Sequence, residues 1–276
     1  MARDGFIEVE HAVRLYFREI GEGHAVVIPL VDWTEEFDAL ANGRRIIFYD
    51  PRGRGKSSAI GLEWISFEND VRDLEDLRKQ LELESFSLIG WSHYGGVVAR
   101  YAMEFPEHVR RLVIVCGPPI RRSPHADTMN GVMMERINAV APGFLQELQG
   151  SESSESEKLR KLWELVKRTR AGRPLRQMRG DPSASANESP EKVAAMIRRL
   201  AQTQGDWDWR EDAKRVTCPA LVVAGTADYL PLDAAQEWVE ALPDSYLLKM
   251  EGVGHFPSLE SPEEFFDAFE NFLRDH

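Results

Sequence analysis

Two cysteines in 276 residues are too few for a disulfide framework. Cys116 follows the apolar run Leu112–Val115, and Cys218 precedes another run that starts at Leu221. In a parallel sheet these positions fall at opposite edges, beyond the reach of one bridge, so both thiols are expected to stay reduced in a cytoplasmic protein. No apolar segment follows Met1-Ala2-Arg3-Asp4, so no signal peptide is expected. No run approaches membrane-spanning length. Positive charge is in deficit, with 34 Lys and Arg against 46 Asp and Glu, a net −12. That excess of acid argues against nucleic acid or an anionic membrane as a partner. The chain has no Cys/His cluster at metal-site spacing, no glycine-rich dinucleotide fingerprint and no internal repeat, so neither a metal nor a cofactor is expected.

What is present is an α/β rhythm. An apolar fraction of 43% in a chain of this length supports one large core with an insertion. Phe6–Glu10 and Val13–Ile20 suggest an N-terminal hairpin, and Ala25–Pro29 and Arg45–Tyr49 are candidate core strands. Phe67, Val71, Leu74, Leu77 and Leu81 fall on one face of a predicted helix. Leu112–Val115 is another strand, and after Gly117-Pro118-Pro119 the rhythm stops. Residues 120–204 read instead as helices, Thr128–Val140, Glu157–Arg170 and Glu191–Gln204, separated by polar tracts such as Ser151-Glu152-Ser153-Ser154-Glu155-Ser156. The rhythm resumes near Trp207. The expected organisation is therefore a core of residues 1–119 and 205–276, with residues 120–204 inserted as a helical cap.

The most informative segment is Leu88-Ile89-Gly90-Trp91-Ser92-His93-Tyr94-Gly95-Gly96. A buried strand, Phe86–Ile89, runs into a serine bracketed by small residues, and a helical pattern follows through Glu104. Such a strand–turn–helix presents a nucleophilic serine at the apex of a strained turn, whose neighbours must be small. The G-x-S-x-G pattern is displaced here: Tyr94 stands where the second glycine is expected, and glycine arrives at Gly95. A serine hydroxyl needs a base, and the base needs a carboxylate to hold its tautomer. Asp228 follows the apolar strand Leu221–Gly225. His255, flanked by Gly254, follows the short strand Tyr246–Met250. Asp233 competes for the acid role but reads as the cap of a helix over Ala234–Leu242.

From Ala25 to the C-terminus the chain resembles the α/β-hydrolase superfamily. The matching segments are Asp50-Pro51-Arg52-Gly53-Arg54-Gly55-Lys56-Ser57, the elbow, Phe105-Pro106-Glu107-His108-Val109, Gly225–Asp228, and Gly254-His255 with Glu260 and Pro262 behind it. The resemblance implies a mostly parallel central sheet of about eight strands with helices on both faces and an inserted helical cap. It also implies Ser92 as nucleophile, Asp228 as acid and His255 as base, in the chain order Ser, Asp, His. The His93 backbone N–H would be one oxyanion donor. The family's second donor follows the third strand in a His-Gly motif that this chain lacks, as it lacks the longer His-Gly-Gly of proline iminopeptidases, which it otherwise resembles. Aligning Pro29-Leu30 with that motif makes the Val31 N–H the candidate, with Leu30 as the alternative. A lost donor costs about 3–4 kcal/mol of transition-state stabilisation. Asp32 either guards the pocket mouth or caps a helix starting near Glu35.

Gly53-Arg54-Gly55-Lys56-Ser57 invites a phosphate-loop reading, but the pattern needs glycine where Asp50 stands. A tight turn with internal Arg and Asp contacts is the expectation. Trp33, Tyr94 and Met133 are candidate walls of a substrate pocket, as are Trp64, Trp91, Met129 and Met134, and the imidazole of His93 is a further one. Met and aromatic residues also fill cores. The function expected is cofactor-free hydrolysis of a small apolar ester or lactone, by a monomer or a homodimer. Amide hydrolysis, carbon–carbon bond hydrolysis or acyl transfer with the same triad, and a non-catalytic binding protein on the same fold, remain alternatives. The serine sets aside epoxide hydrolases and haloalkane dehalogenases, which carry aspartate at the elbow.

Overall fold

Apolar strands that alternate their side chains between two buried faces build the centre of the molecule. In the computed structural model, which describes residues 2–29, 37–174 and 190–274, the strands are β1 (Arg3–Val9), β2 (Val13–Gly21), β3 (His24–Pro29), β4 (Arg44–Tyr49), β5 (Phe86–Trp91), β6 (Val109–Val115), β7 (Ala220–Gly225) and β8 (Ser245–Met250). They form one eight-stranded sheet in the order β1-β2-β4-β3-β5-β6-β7-β8. β2 runs antiparallel to β1 and β4, and every other pairing is parallel. Buried on both faces, the inner parallel strands read as nearly continuous apolar runs, whereas the edge strand β8 is partly exposed. Val27, Ile47, Leu88, Leu112, Ile114 and Val222 point into one core cluster. Their neighbours Val26, Ile28, Ile46, Ile89, Val113 and Val223 point into the other.

The helices among the described residues are α1 (Phe67–Gln80), α2 (His93–Glu104), α3 (His125–Val140), α4 (Phe144–Gly150), α5 (Glu155–Arg170), α6 (Pro190–Gln204), α7 (Arg210–Ala213), α8 (Leu232–Ala241), α9 (Pro257–Glu260) and α10 (Pro262–Leu273). α1 follows from its sequence. The Ser66 side chain caps it by accepting the Asn69 N–H, Glu68 and Asp70 lie in its first turn, and Arg78 and Lys79 lie in its last. Phe67, Val71, Leu74 and Leu77 are buried against the sheet as their spacing demands. On the opposite face Phe265, Phe269 and Leu273 of α10 pack into the second cluster with Phe37. α3 to α6 all fall between β6 and β7. α5 lies against α3 and α6, and α6 also touches α1. α3 begins three residues before the predicted start, and α4 is an addition to the helices read from sequence. One detail needs correction. Asp233 does not cap α8: Pro231 is the N-cap residue, and no side chain caps that end.

The Asp50–Ser57 segment is a turn closed on itself. Asp50 Oδ2 accepts the Lys56 N–H at 2.7 Å, and Ser57 Oγ donates to the Asp50 carbonyl at 2.5 Å. A Cβ on Gly55 would lie 2.1 Å from Asp50 Oδ2, so no side chain fits there. Arg52 ties the turn to α1 through a two-point pair with Asp73, at 2.7 and 2.5 Å, with both side chains only 1% exposed.

Glu75 joins α1 to α2, accepting from Tyr101 Oη at 2.7 Å and from both Nε and Nη2 of Arg78. Burial pushes its carboxyl up, but Arg78 and Tyr101 outweigh burial and hold it down at about 2, against an ordinary 4.5. A folded-state value below the unfolded one gives stability that is present above pH 4.5 and lost as pH falls towards 2. Glu75→Gln should therefore cost about 1–3 kcal/mol at neutral pH. In urea unfolding the gap from the parent should narrow steadily once the pH drops below the ordinary glutamate value.

Candidate active site

The site assembles at the C-terminal ends of three strands. β3 and β5 are neighbours in the sheet although β4 lies between them in sequence, so the strand order reverses between them, and a crevice is expected there. Ser92 follows β5, Asp228 lies three residues beyond β7, and His255 lies five residues beyond β8.

Ser92 sits at φ 54°, ψ −126° at the N-terminus of α2, a conformation disfavoured for any residue with a Cβ. The turn is held by the Ser92 N–H donating to the Val115 carbonyl and by the Gly95 N–H donating to the Ser92 carbonyl, both at 2.9 Å. Close approach explains its glycines. A Cβ on Gly90 would meet the Tyr94 carbonyl oxygen at 2.2 Å, and one on Gly96 would meet Pro118 Cγ at 2.8 Å. Position 94 faces no such demand. Tyr94 buries its ring in the main core cluster beside that of His93, with centroids 5.1 Å apart.

His255 Nε2 lies 3.0 Å from Ser92 Oγ, and its Nδ1 lies 2.8 Å from Asp228 Oδ2. A carboxylate only accepts, so Nδ1 holds the proton and Nε2 faces the hydroxyl with its lone pair. The other Asp228 oxygen accepts the Tyr229 N–H at 2.6 Å. His255 is fully buried and Asp228 nearly so, while Ser92 is half-buried. Three rings hem in the imidazole: Trp91 and Tyr229 at 5.0 Å and Phe256 at 5.7 Å between centroids. The Trp91 indole N–H also donates to the His255 carbonyl at 2.7 Å.

The remaining candidates divide. The His93 side chain turns to Asp70 on α1, with Nε2 3.0 Å from Oδ2, leaving its backbone at the start of α2 beside Ser92. Met133 on α3 is half-buried, its sulfur 3.5 Å from Thr169 Oγ1. Trp64 lies against His11, with ring centroids 4.0 Å apart and the planes tilted by 36°. Leu30, Val31, Asp32 and Trp33 lie outside the described residues. Cys116 and Cys218 are both free and buried, and burial pushes the Cys116 thiol well up from its ordinary value. Among the described residues Cys116, Asp228 and His255 form the one trio with metal-ligating atoms all within 4.8 Å. Two of its members are already joined by the Nδ1–Oδ2 hydrogen bond.

Sequence reading missed the supports of the site. Glu260 accepts backbone N–H groups around His255, and Arg136 on α3 donates to the Asp228 carbonyl at 2.8 Å. Glu260 stood in the matching C-terminal segment, but nothing local marks a glutamate as an acceptor of backbone donors.

A strained serine on a strand–turn–helix, bonded to a buried imidazole–carboxylate pair, on this sheet topology, is the arrangement of one family. The chain belongs to the α/β-hydrolase fold family. The family model covers residues 21–262. A pimeloyl-[acyl-carrier protein] methyl ester esterase of Nitrosomonas europaea is 27% identical, over 86% of this chain and 88% of its own. The non-heme chloroperoxidase CPO-A1 of Kitasatospora aureofaciens is also 27% identical, over 88% of this chain and 89% of its own. The crystal structure of a Mycobacterium smegmatis proline iminopeptidase shares the fold with a TM-score of 0.75 at 20% identity, covering 98% of this chain and 97% of its own. This α/β-hydrolase has no helix among its described residues that is long and apolar enough to cross a membrane.

The close packing of the elbow generates a direct test. Gly90→Ala, which drives a methyl into the Tyr94 carbonyl, should destabilise the protein by more than about 2 kcal/mol, seen as a lowered urea midpoint. Gly131→Ala on α3, where the new methyl meets nothing within 4 Å, should leave the midpoint unchanged or raise it.

Proposed function

We propose that this α/β-hydrolase is a serine hydrolase that cleaves a small apolar carboxylic ester or lactone through an acyl-enzyme. The observation behind the reading is the continuous hydrogen-bonded chain Ser92 Oγ, His255 Nε2, His255 Nδ1, Asp228 Oδ2. His255 takes the Ser92 proton as Oγ attacks the carbonyl carbon, and Asp228 stabilises the imidazolium that forms. The His93 N–H, and the Val31 or Leu30 N–H, hold the tetrahedral oxyanion. Collapse expels the leaving alcohol, which takes the proton from His255. Water deprotonated by the same imidazole then releases the acid and restores Ser92.

The esterase relative supports an ester as substrate. Residues 120–204 act as a cap that closes over the substrate, with Met133 among its walls. Tyr94 belongs to the core beneath the elbow and has no pocket role in this reading. The two free, buried thiols fit a cytoplasmic protein.

Hydrolysis of short and medium-chain p-nitrophenyl esters tests the proposal. Ser92→Ala should lower kcat by at least about 1,000-fold, and a fluorophosphonate should label Ser92 in the folded parent. Undiminished turnover in the mutant, or a serine that resists the label, would sink the reading. Product analysis with a competing alcohol separates hydrolysis from acyl transfer.

A further inference from the structure

The end of α5 is bonded directly to the residue read above as base, and it lies beside the neighbour of the acid. The His255 N–H donates to the Arg170 carbonyl at 2.9 Å. Two residues on, the Gly172 and Arg173 N–H groups donate to Glu260 Oε2 at 2.7 and 2.8 Å. That same oxygen accepts the Gly254 N–H at 2.8 Å, and Oε1 accepts the Phe256 N–H at 3.0 Å. One buried carboxylate thus binds the backbone on both sides of His255 and the backbone of the inserted segment together. The Arg173 guanidinium adds bonds to the Glu251 carbonyl and to Ser261 Oγ.

The acid is held from the same side. Arg136 on α3 donates to the Asp228 carbonyl at 2.8 Å and to the Thr169 carbonyl at 3.2 Å. The Arg170 guanidinium lies 4.8 Å over the ring of Tyr229, whose own N–H bonds Asp228 Oδ1. The fit leaves no slack. A Cβ on Gly172 would meet the Gly252 carbonyl oxygen at 2.5 Å, Ala227 Cβ at 2.6 Å and the Gly254 nitrogen at 2.9 Å. A Cβ on Gly254 would meet the Arg170 carbonyl oxygen at 2.2 Å.

We infer that Thr169–Arg173, clamped by Glu260, positions His255 and Asp228, so that the inserted helices set the rate of acylation as well as access to Ser92. The inference rests on the hydrolase reading of those residues. A buried carboxylate that accepts four N–H groups is strongly satisfied, and it fixes the backbone from which the imidazole projects. A cap that only covered the substrate would need none of these bonds and would affect binding alone.

Gly172→Ala pushes a methyl into the histidine loop without touching the sheet or Ser92. Glu260→Gln keeps the volume but exchanges one accepting oxygen for a donor that faces backbone N–H groups. The expected result for Gly172→Ala is a fall of about 100-fold in kcat, as for a misplacement near 1 Å. The rate of Ser92 phosphonylation should fall in parallel, with KM nearly unchanged. Glu260→Gln should act in the same direction, and it decides the matter should the glycine variant not fold. The low-field proton resonance of the His255 Nδ1–H···Asp228 bond should shift or vanish in both variants and stay in place in Gly131→Ala. A rise in KM with kcat and the resonance unchanged would overturn the inference and make the segment a wall of the pocket. The resonance is read in folded protein whether or not an ester is turned over. A parent that neither turns over esters nor takes the label therefore counts against the hydrolase proposal, while the resonance still decides this one.

Discussion

The hydrogen bond between His255 Nδ1 and Asp228 Oδ2 is the interaction around which this molecule is arranged. Both side chains are out of water, at 0% and 2% exposure. A buried carboxylate is tolerated only where its oxygens are bonded. Asp228 meets that condition with one bond from the imidazole and one from the Tyr229 N–H. Neither residue belongs to a regular element. Each hangs from a loop beyond a strand, so each loop needs its own backbone partners. The loop after β8 finds them in Glu260 and in the carbonyl of Arg170, and the loop after β7 finds them in Val253 and Arg136.

The sheet supplies the fixed frame. Parallel pairing brings the C-terminal ends of β5, β7 and β8 to one edge, and the strand order reverses at β3 and β5, where open α/β sheets form their crevices. Strain at Ser92 is sustained because both flanks are over-determined. β5 is buried between β3 and β6, and α2 is packed through Val97, Val98, Tyr101 and Ala102. The glycines at 90, 95 and 96 let backbone and side chains close around the turn. Buried polar contacts such as Arg52 with Asp73, and Glu75 with Tyr101, then fix α1 against the turn and against α2.

Much of this was legible in one dimension. The helix over Phe67–Gln80 could be read from its apolar spacing, and the Ser66 cap and charged ends found in the structure agree with it. The buried strands could be read from unbroken apolar runs. The serine, aspartate and histidine could be read from where they stand relative to those strands. These are local patterns, set by the period of a helix or strand and by the chemistry of a turn. The glycine of the motif is displaced because the motif records a spacing. What the turn requires is room at particular atoms, which falls at Gly90, Gly95 and Gly96, while Tyr94 finds a place in the core. Asp233 misled for a related reason: an acidic residue near a helix start resembles a cap, but Pro231 holds that position.

By itself, then, the sequence determined the elements, the order of the three chemical groups and the point after β6 at which the α/β rhythm breaks, because each depends on neighbours a few residues away. Only the tertiary structure decided that His93 turns its ring to Asp70 and that Glu260 gathers four backbone donors. It alone decided that a segment some 85 residues before His255 supplies the carbonyl its N–H requires. Those bonds join groups that are distant in sequence, and a backbone donor looks the same at every residue until folding removes its water.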